Sequence, residues 1–188
     1  MDRQFKITIK SYEQEVGERP EEEKYDGFYD YTENLKASYS DCFLKSGFIL
    51  SYSTIEVILK EFCDIARKEF KIIRSWKDIQ DEEAKGEMPK MVKYIERELN
   101  IKIDRQTFKI LNAYRLTRNL IVHELGELKG NKSKLCLKTV YQHNKNIRFD
   151  TNQIIIESSK FLSEFSKFAY ETLSDIENKL NLVYHKKH

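Results

Sequence analysis

The chain has 188 residues, 40% of them hydrophobic, with 11 Phe and 11 Tyr, enough apolar material for one ordinary domain and incompatible with disorder throughout. Two prolines and six glycines against 34% charged residues is the composition of long solvated helices with few tight turns, so an all-α fold is expected. A formal net charge of +2 excludes a protein that coats nucleic acid through its bulk field, and any such contact has to come from a local patch.

Cys42, Cys63 and Cys136 show no CxxC spacing, and two of them share one apolar helical stretch, so they read as buried, reduced thiols. The opening MDRQFKITIK lacks an apolar segment followed by a small-residue cleavage site. The longest charge-free run, Ser46 to Ile55, is ten residues, half of the roughly 20 that span a bilayer. A cytoplasmic protein with no membrane partner is expected.

Along the chain, Phe5, Ile7 and Ile9 alternate with Lys6 and Thr8 in strand-like fashion. The polar GERPEEEKYDG reads as a loop, which makes residues 1–30 an N-terminal extension and 31–188 the helical domain. From Tyr31 to Phe70 a single helix is predicted, with apolar positions Phe43, Gly47, Leu50, Ile58, Phe62 and Ile65. Nearly every face between Phe43 and Leu59 carries an apolar group, so this helix is placed at the centre of the fold. Residues 71–86 form a connection with room for one short helix, and Pro89 suits the first turn of the next helix, through MVKYIERELN. Asp104 is the expected N-cap of a helix running through Phe108, Leu111, Leu120 and Leu125 to about Leu128. GNKSK reads as a loop, and LKTVYQHNKNIRFDTNQIII as short strands around the turn residues HNKN, giving a small β-hairpin. A last helix from Ser158 to Leu182 supplies Phe161, Leu162, Phe165, Phe168 and Leu173 to the core.

The helix that starts at Asp104 contains YRLTRNLIVHE, an R-N-x-x-x-H arrangement of Arg118, Asn119 and His123. Asn119 and His123 lie one turn apart on one face, and Arg118 on the adjoining face has the reach to converge with them. These groups suit phosphoryl transfer. An imidazole moves protons near neutral pH, and a guanidinium holds phosphate oxygens as charge accumulates. RNA supplies its own nucleophile, the 2′-hydroxyl, so its cleavage needs proton transfer and charge stabilisation but no metal or cofactor. The bland alternative is a histidine satisfied at a helix interface and an arginine in an ion pair.

SGFILSYSTIEVILKEFCD resembles the first core helix of HEPN domains, and TRNLIVHE resembles their signature motif, over about residues 31–183. The resemblance implies an up-and-down bundle of four to five main helices, paired so that two motifs face each other across a homodimer. It implies that Arg118 binds the scissile phosphate, that His123 acts as acid or base, and that Asn119 orients one or the other. Toxins, phage-defence effectors and RNA-processing enzymes with 2′,3′-cyclic phosphate products are the implied activities, with an antitoxin or regulatory protein as partner. The alternative is a catalytically silent HEPN module for dimerisation or for binding RNA or nucleotide.

Glu56 is the only charged residue between Lys45 and Lys60, and a buried carboxylate needs a partner. Arg118 or Arg115 would satisfy it and support the site, unless Glu56 faces solvent. Two basic stretches are candidate RNA guides. The first holds Lys129, Lys132, Lys134, Lys138, Lys145 and Arg148, with Tyr141 and Phe149 beside them and no acidic residue from 129 to 149. The second is RKEFKIIRSWK, residues 67–77, with Trp76. His143, His185 and His188 lack metal-site spacing, and no phosphate-cradling glycine loop is present, so neither metal nor cofactor is expected.

Overall fold

Helix α1 (Glu21–Glu69) is the longest element of the computed structural model, which describes residues 21–80, 85–127, 131–150 and 153–187. The strand expected at residues 5–9 lies outside them. α1 starts directly after Pro20, so Glu21–Gly27 are helical rather than the expected loop. Three glutamates there are good helix formers and also complement the helix dipole at its N-terminus. The chain divides into two compact units, Met1–Cys42 and Phe43–His188. In the first, Lys36 and Glu33 pair at 2.7 Å along the exposed surface of α1.

In the second unit α1 is followed by a 3₁₀ turn (Trp76–Asp78), α2 (Glu87–Leu99), α3 (Arg105–His123), α4 (Asn131–His143), strands β1 (Ile147–Asp150) and β2 (Gln153–Ile156), and α5 (Ser159–Lys187). The architecture is an all-α bundle, 79% helical, with a two-stranded antiparallel hairpin before the last helix. Two helix starts carry their expected signals. Pro89 stands in the first turn of α2, and the Asp104 carboxylate caps α3 by accepting from the Thr107 amide at 2.8 Å.

The core face of α1 is Leu44, Phe48, Tyr52, Ile55, Leu59, Cys63 and Ala66, a spacing of three and four residues that keeps one stripe inward. The opposite side is exposed at Phe43, Leu50, Val57 and Ile65, contrary to the expectation of apolar contacts all round. By length and composition α1 could also cross a membrane, with a mean hydropathy of 1.4 over its most apolar window. Its inward stripe is nevertheless committed to protein. Phe48 meets Phe165 at 5.0 Å and Phe161 at 5.2 Å between ring centroids, edge to face, and Tyr114 meets Phe165 at 4.7 Å. These rings tie α1, α3 and α5 together. Gly47 lets α5 come close, since a Cβ there would stand 3.0 Å from the Leu162 side chain.

Two segments depart from the sequence reading. Residues 131–143, expected as loop and strand, form α4, because Cys136, Leu137 and Val140 fall on one helical face and bury it. HNKN is therefore a helix-to-strand turn. Buried Asn144 donates to the Phe161 carbonyl at 3.0 Å and accepts from the Asn146 amide at 3.1 Å. The hairpin reverses farther on, with Asp150 paired to Gln153. The second departure is the end of α3 at His123 instead of Leu128. Leu125 and Gly126 take left-handed φ values of 52° and 81°, and the Gly126 amide returns to the Leu120 carbonyl at 3.0 Å, a Schellman stop.

Of the cysteines, Cys63 and Cys136 are buried thiols outside any disulfide, as expected, whereas Cys42 is exposed. If the ring cluster holds the bundle together, Phe165→Ala should cost about 3–5 kcal/mol, read as a lower urea midpoint at an unchanged slope.

Candidate functional site

The R-N-x-x-x-H residues occupy the last turn and a half of α3. Register along this helix separates their surroundings. Leu111, Tyr114 and Ile121 face the core, and Arg118 shares their side, whereas Asn119 and His123 turn outward. The long Arg118 side chain bends back, and its Nη1 donates to Asn119 Oδ1 at 3.1 Å. The guanidinium tip thus reaches the Asn119 side of the helix while Nε stays buried. His123, the final helical residue, is exposed and forms no hydrogen bond among the described residues.

α1 runs antiparallel to α3 across this region. Lys45 Nζ lies 3.5 Å from where a Cβ on Gly126 would stand, whereas Glu56, three turns along α1, senses Arg115 and Arg118. Glu56 is half-buried, in the expected neighbourhood, but among the described residues it forms no ion pair with either arginine. Burial pushes its carboxyl above the usual range, the nearby Arg118 opposes that shift, and Glu87 on α2 adds to it. Arg115 is held differently. Its Nε donates to Asn112 Oδ1 at 2.9 Å, and its guanidinium lies over Gly86, where a Cβ would stand only 2.9 Å from Nη1. Gly86 has φ 107°, so a side chain there is disfavoured by backbone strain, whereas the arginine tip can move aside.

Tyr52 belongs to this cluster and escaped the sequence reading. It precedes Glu56 by one turn, is fully buried, and its hydroxyl finds no partner, as is also true of Arg118 Nε. Burial raises its phenol far above the ordinary tyrosine value, and the Glu56 charge acts in the same direction. The available signal was a tyrosine inside an apolar helical run, since a buried phenol has to be placed near polar groups. Two guanidiniums, two carboxylates and a phenol therefore gather where α1, α2 and α3 meet, and among the described residues neither arginine is in an ion pair with a carboxylate.

The basic candidates are dispersed. Lys129 lies outside the described residues, and Lys132 is placed only as part of the α4 backbone. Lys134, Lys138 and Tyr141 share the outward face of α4, and Lys145 stands over the Tyr141 ring at 4.1 Å. Arg148 is engaged with Glu157 at 3.2 Å. The second stretch is divided, with Lys68, Lys71, Arg74 and Lys77 exposed. Trp76 is buried in the core, and Arg67 donates to the Ile73 carbonyl at 3.3 Å. His143 is the histidine that packs. Its Nδ1 lies 2.9 Å from the Tyr114 hydroxyl, its ring is 4.7 Å from Phe168, and burial lowers its pKa. Among the described residues no cluster of His, Cys, Asp or Glu has the form of a metal site.

No family model, curated protein or solved structure matches this chain.

Two changes probe the cluster without reference to activity. Because the Tyr52 hydroxyl is buried without a partner, Tyr52→Phe should leave stability unchanged or raise it by up to about 1 kcal/mol in chemical denaturation. Glu56 has a folded-state pKa above its unfolded value, so its contribution to stability is fully present below the unfolded pKa and is lost as pH rises through the folded one. Glu56→Gln should therefore match wild-type stability in acid and equal or exceed it at neutral pH, compared by melting temperature across a pH series.

Proposed function

We propose that this protein is a metal-independent endoribonuclease of HEPN type, acting as a homodimer through Arg118, Asn119 and His123. The observation that carries the reading is the Arg118 guanidinium, held by Asn119 rather than by a carboxylate and lying on the same helical turn and a half as an exposed imidazole. A phosphate diester meeting this surface finds a bidentate cation and a proton-transfer group. In the reaction the substrate 2′-hydroxyl loses its proton and attacks phosphorus, the bond to the 5′-oxygen breaks, and that oxygen takes up a proton. A 2′,3′-cyclic phosphate and a 5′-hydroxyl result. His123 serves one of the two proton transfers, and Arg118 stabilises the charge on the phosphorane oxygens.

Lys134, Lys138 and Tyr141 on the outward face of α4, with Lys145 beside them, offer the sequence-independent contacts that hold a single strand. A toxin or phage-defence effector of the cytoplasm, restrained by an antitoxin or regulatory protein, is the biological setting that fits such an activity.

The test is incubation of purified protein with RNA in the presence of a chelator, with analysis of the fragment ends. Cleavage should persist and yield cyclic phosphates, and loss of activity on chelation would overturn the mechanism. His123→Ala should lower turnover by roughly 10² to 10⁴, with RNA affinity retained and an unchanged melting temperature. Wild-type rates in that folded variant would leave a silent HEPN module that binds without cleaving.

A further inference from the structure

Phe43, Leu50 and Val57 stand seven residues apart on α1 and are 76%, 71% and 55% exposed. Seven residues are almost two helical turns, so the three form one straight stripe, on the side away from Phe48, Tyr52 and Leu59. Between them on this side lie the small residues Ser46, Ser53 and Thr54. The Ser53 and Thr54 hydroxyls donate back to the Ile49 and Leu50 carbonyls of the same helix, at 2.9 and 3.1 Å. From Phe43 to Val57 the stripe thus carries no charge, and these two hydroxyls are already satisfied. A contiguous apolar surface of this kind marks a contact that excludes water.

The pattern of the stripe identifies what covers it. A two-fold contact requires a patch that is its own complement. Outward from Leu50, each direction along α1 meets a small residue four positions away, Ser46 or Thr54, and a large apolar one seven positions away, Phe43 or Val57. We infer that a second copy of this chain docks on the outer stripe of α1, helix against antiparallel helix, with the two-fold axis at Leu50. Leu50 then meets Leu50 of the other copy, Phe43 meets Val57, and Ser46 meets Thr54. A lipid surface fits less well. The stripe is about 21 Å long, and Lys45, Glu56, Lys60 and Glu61 border it with both signs of charge rather than with the cationic flank of a membrane-surface helix.

The inference deepens the homodimeric reading by giving it a surface. The stripe lies on the side of α1 away from Tyr52, whose neighbours include Arg115 and Arg118, so a contact there leaves the α3 motif of each copy uncovered. Three large side chains per copy on a strip of this length place the contact at the small end of specific interfaces, below about 1,200 Å² in total, and the dimer should dissociate in the micromolar range.

The experiment is sedimentation velocity of the full chain over micromolar concentrations. Wild type should pass from one chain mass to two. Leu50→Glu should remain at one chain mass with an unchanged melting temperature, because Leu50 contributes nothing to the core. In a Cys42→Ser background, an oxidised mixture of Phe43→Cys and Val57→Cys chains should form a disulfide-linked dimer, and neither variant alone should. A wild-type monomer throughout, a dimer that survives Leu50→Glu, or cross-linking of Phe43→Cys to itself would each overturn the inference. Binding of wild type, but not of Leu50→Glu, to phosphatidylcholine and phosphatidylglycerol vesicles would reassign the stripe to lipid. None of these measurements uses RNA, so failure of the cleavage reading and failure of this one are observed separately.

Discussion

The edge-to-face contact of Phe48 with Phe161 and Phe165, extended by Tyr114, fixes the rotation of α1 about its own axis. A helix that buries Phe48 must carry Tyr52 and Glu56, one and two turns on, toward the same neighbours. Tyr114 does the same for α3, because Arg115 and Arg118 follow it at positions that look toward α1. The polar cluster at the α1–α3 crossing is therefore a geometric consequence of ring packing. Its groups are brought together by an apolar core that lies beside them, and by no strong interaction of their own.

That origin explains the electrostatic character of the cluster. Glu56 and Arg118 are close enough to influence each other, yet no ion pair forms, and a buried phenol and a buried guanidinium nitrogen are left without partners. A stability-optimised interior would pair or remove such groups, because each buried donor without an acceptor carries its full desolvation cost.

The stop of α3 matters as much as its packing. Leu125 and Gly126 turn the chain out of the helix just after His123, and the Gly126 carbonyl accepts from the Ile154 amide at 3.0 Å, which anchors the turn to the hairpin. The hairpin thus holds the end of the motif helix in place.

The sequence by itself determined the helices with strong local signals. The Asp104 cap, Pro89 in a first turn, the long proline-free run through Phe70 and the period of Phe161, Phe165 and Phe168 each have a local cause, and local causes are legible in one dimension. It also placed Arg118, Asn119 and His123 on one short helical segment, because i to i+4 spacing follows from residue identity, whereas the ion pair expected of Glu56 does not form. Only the tertiary structure decided the rest. Residues 131–143 are helical because Cys136, Leu137 and Val140 find a surface on which to bury one face, which overrides a β-branched, turn-rich composition. A basic stretch marks Trp76 as a candidate RNA contact and helical spacing marks Phe43 and Leu50 as core residues, yet Trp76 is inside and the other two are outside. Burial depends on which neighbours cover a side chain, and a hydrophobic pattern records how much apolar surface must be covered without recording by what.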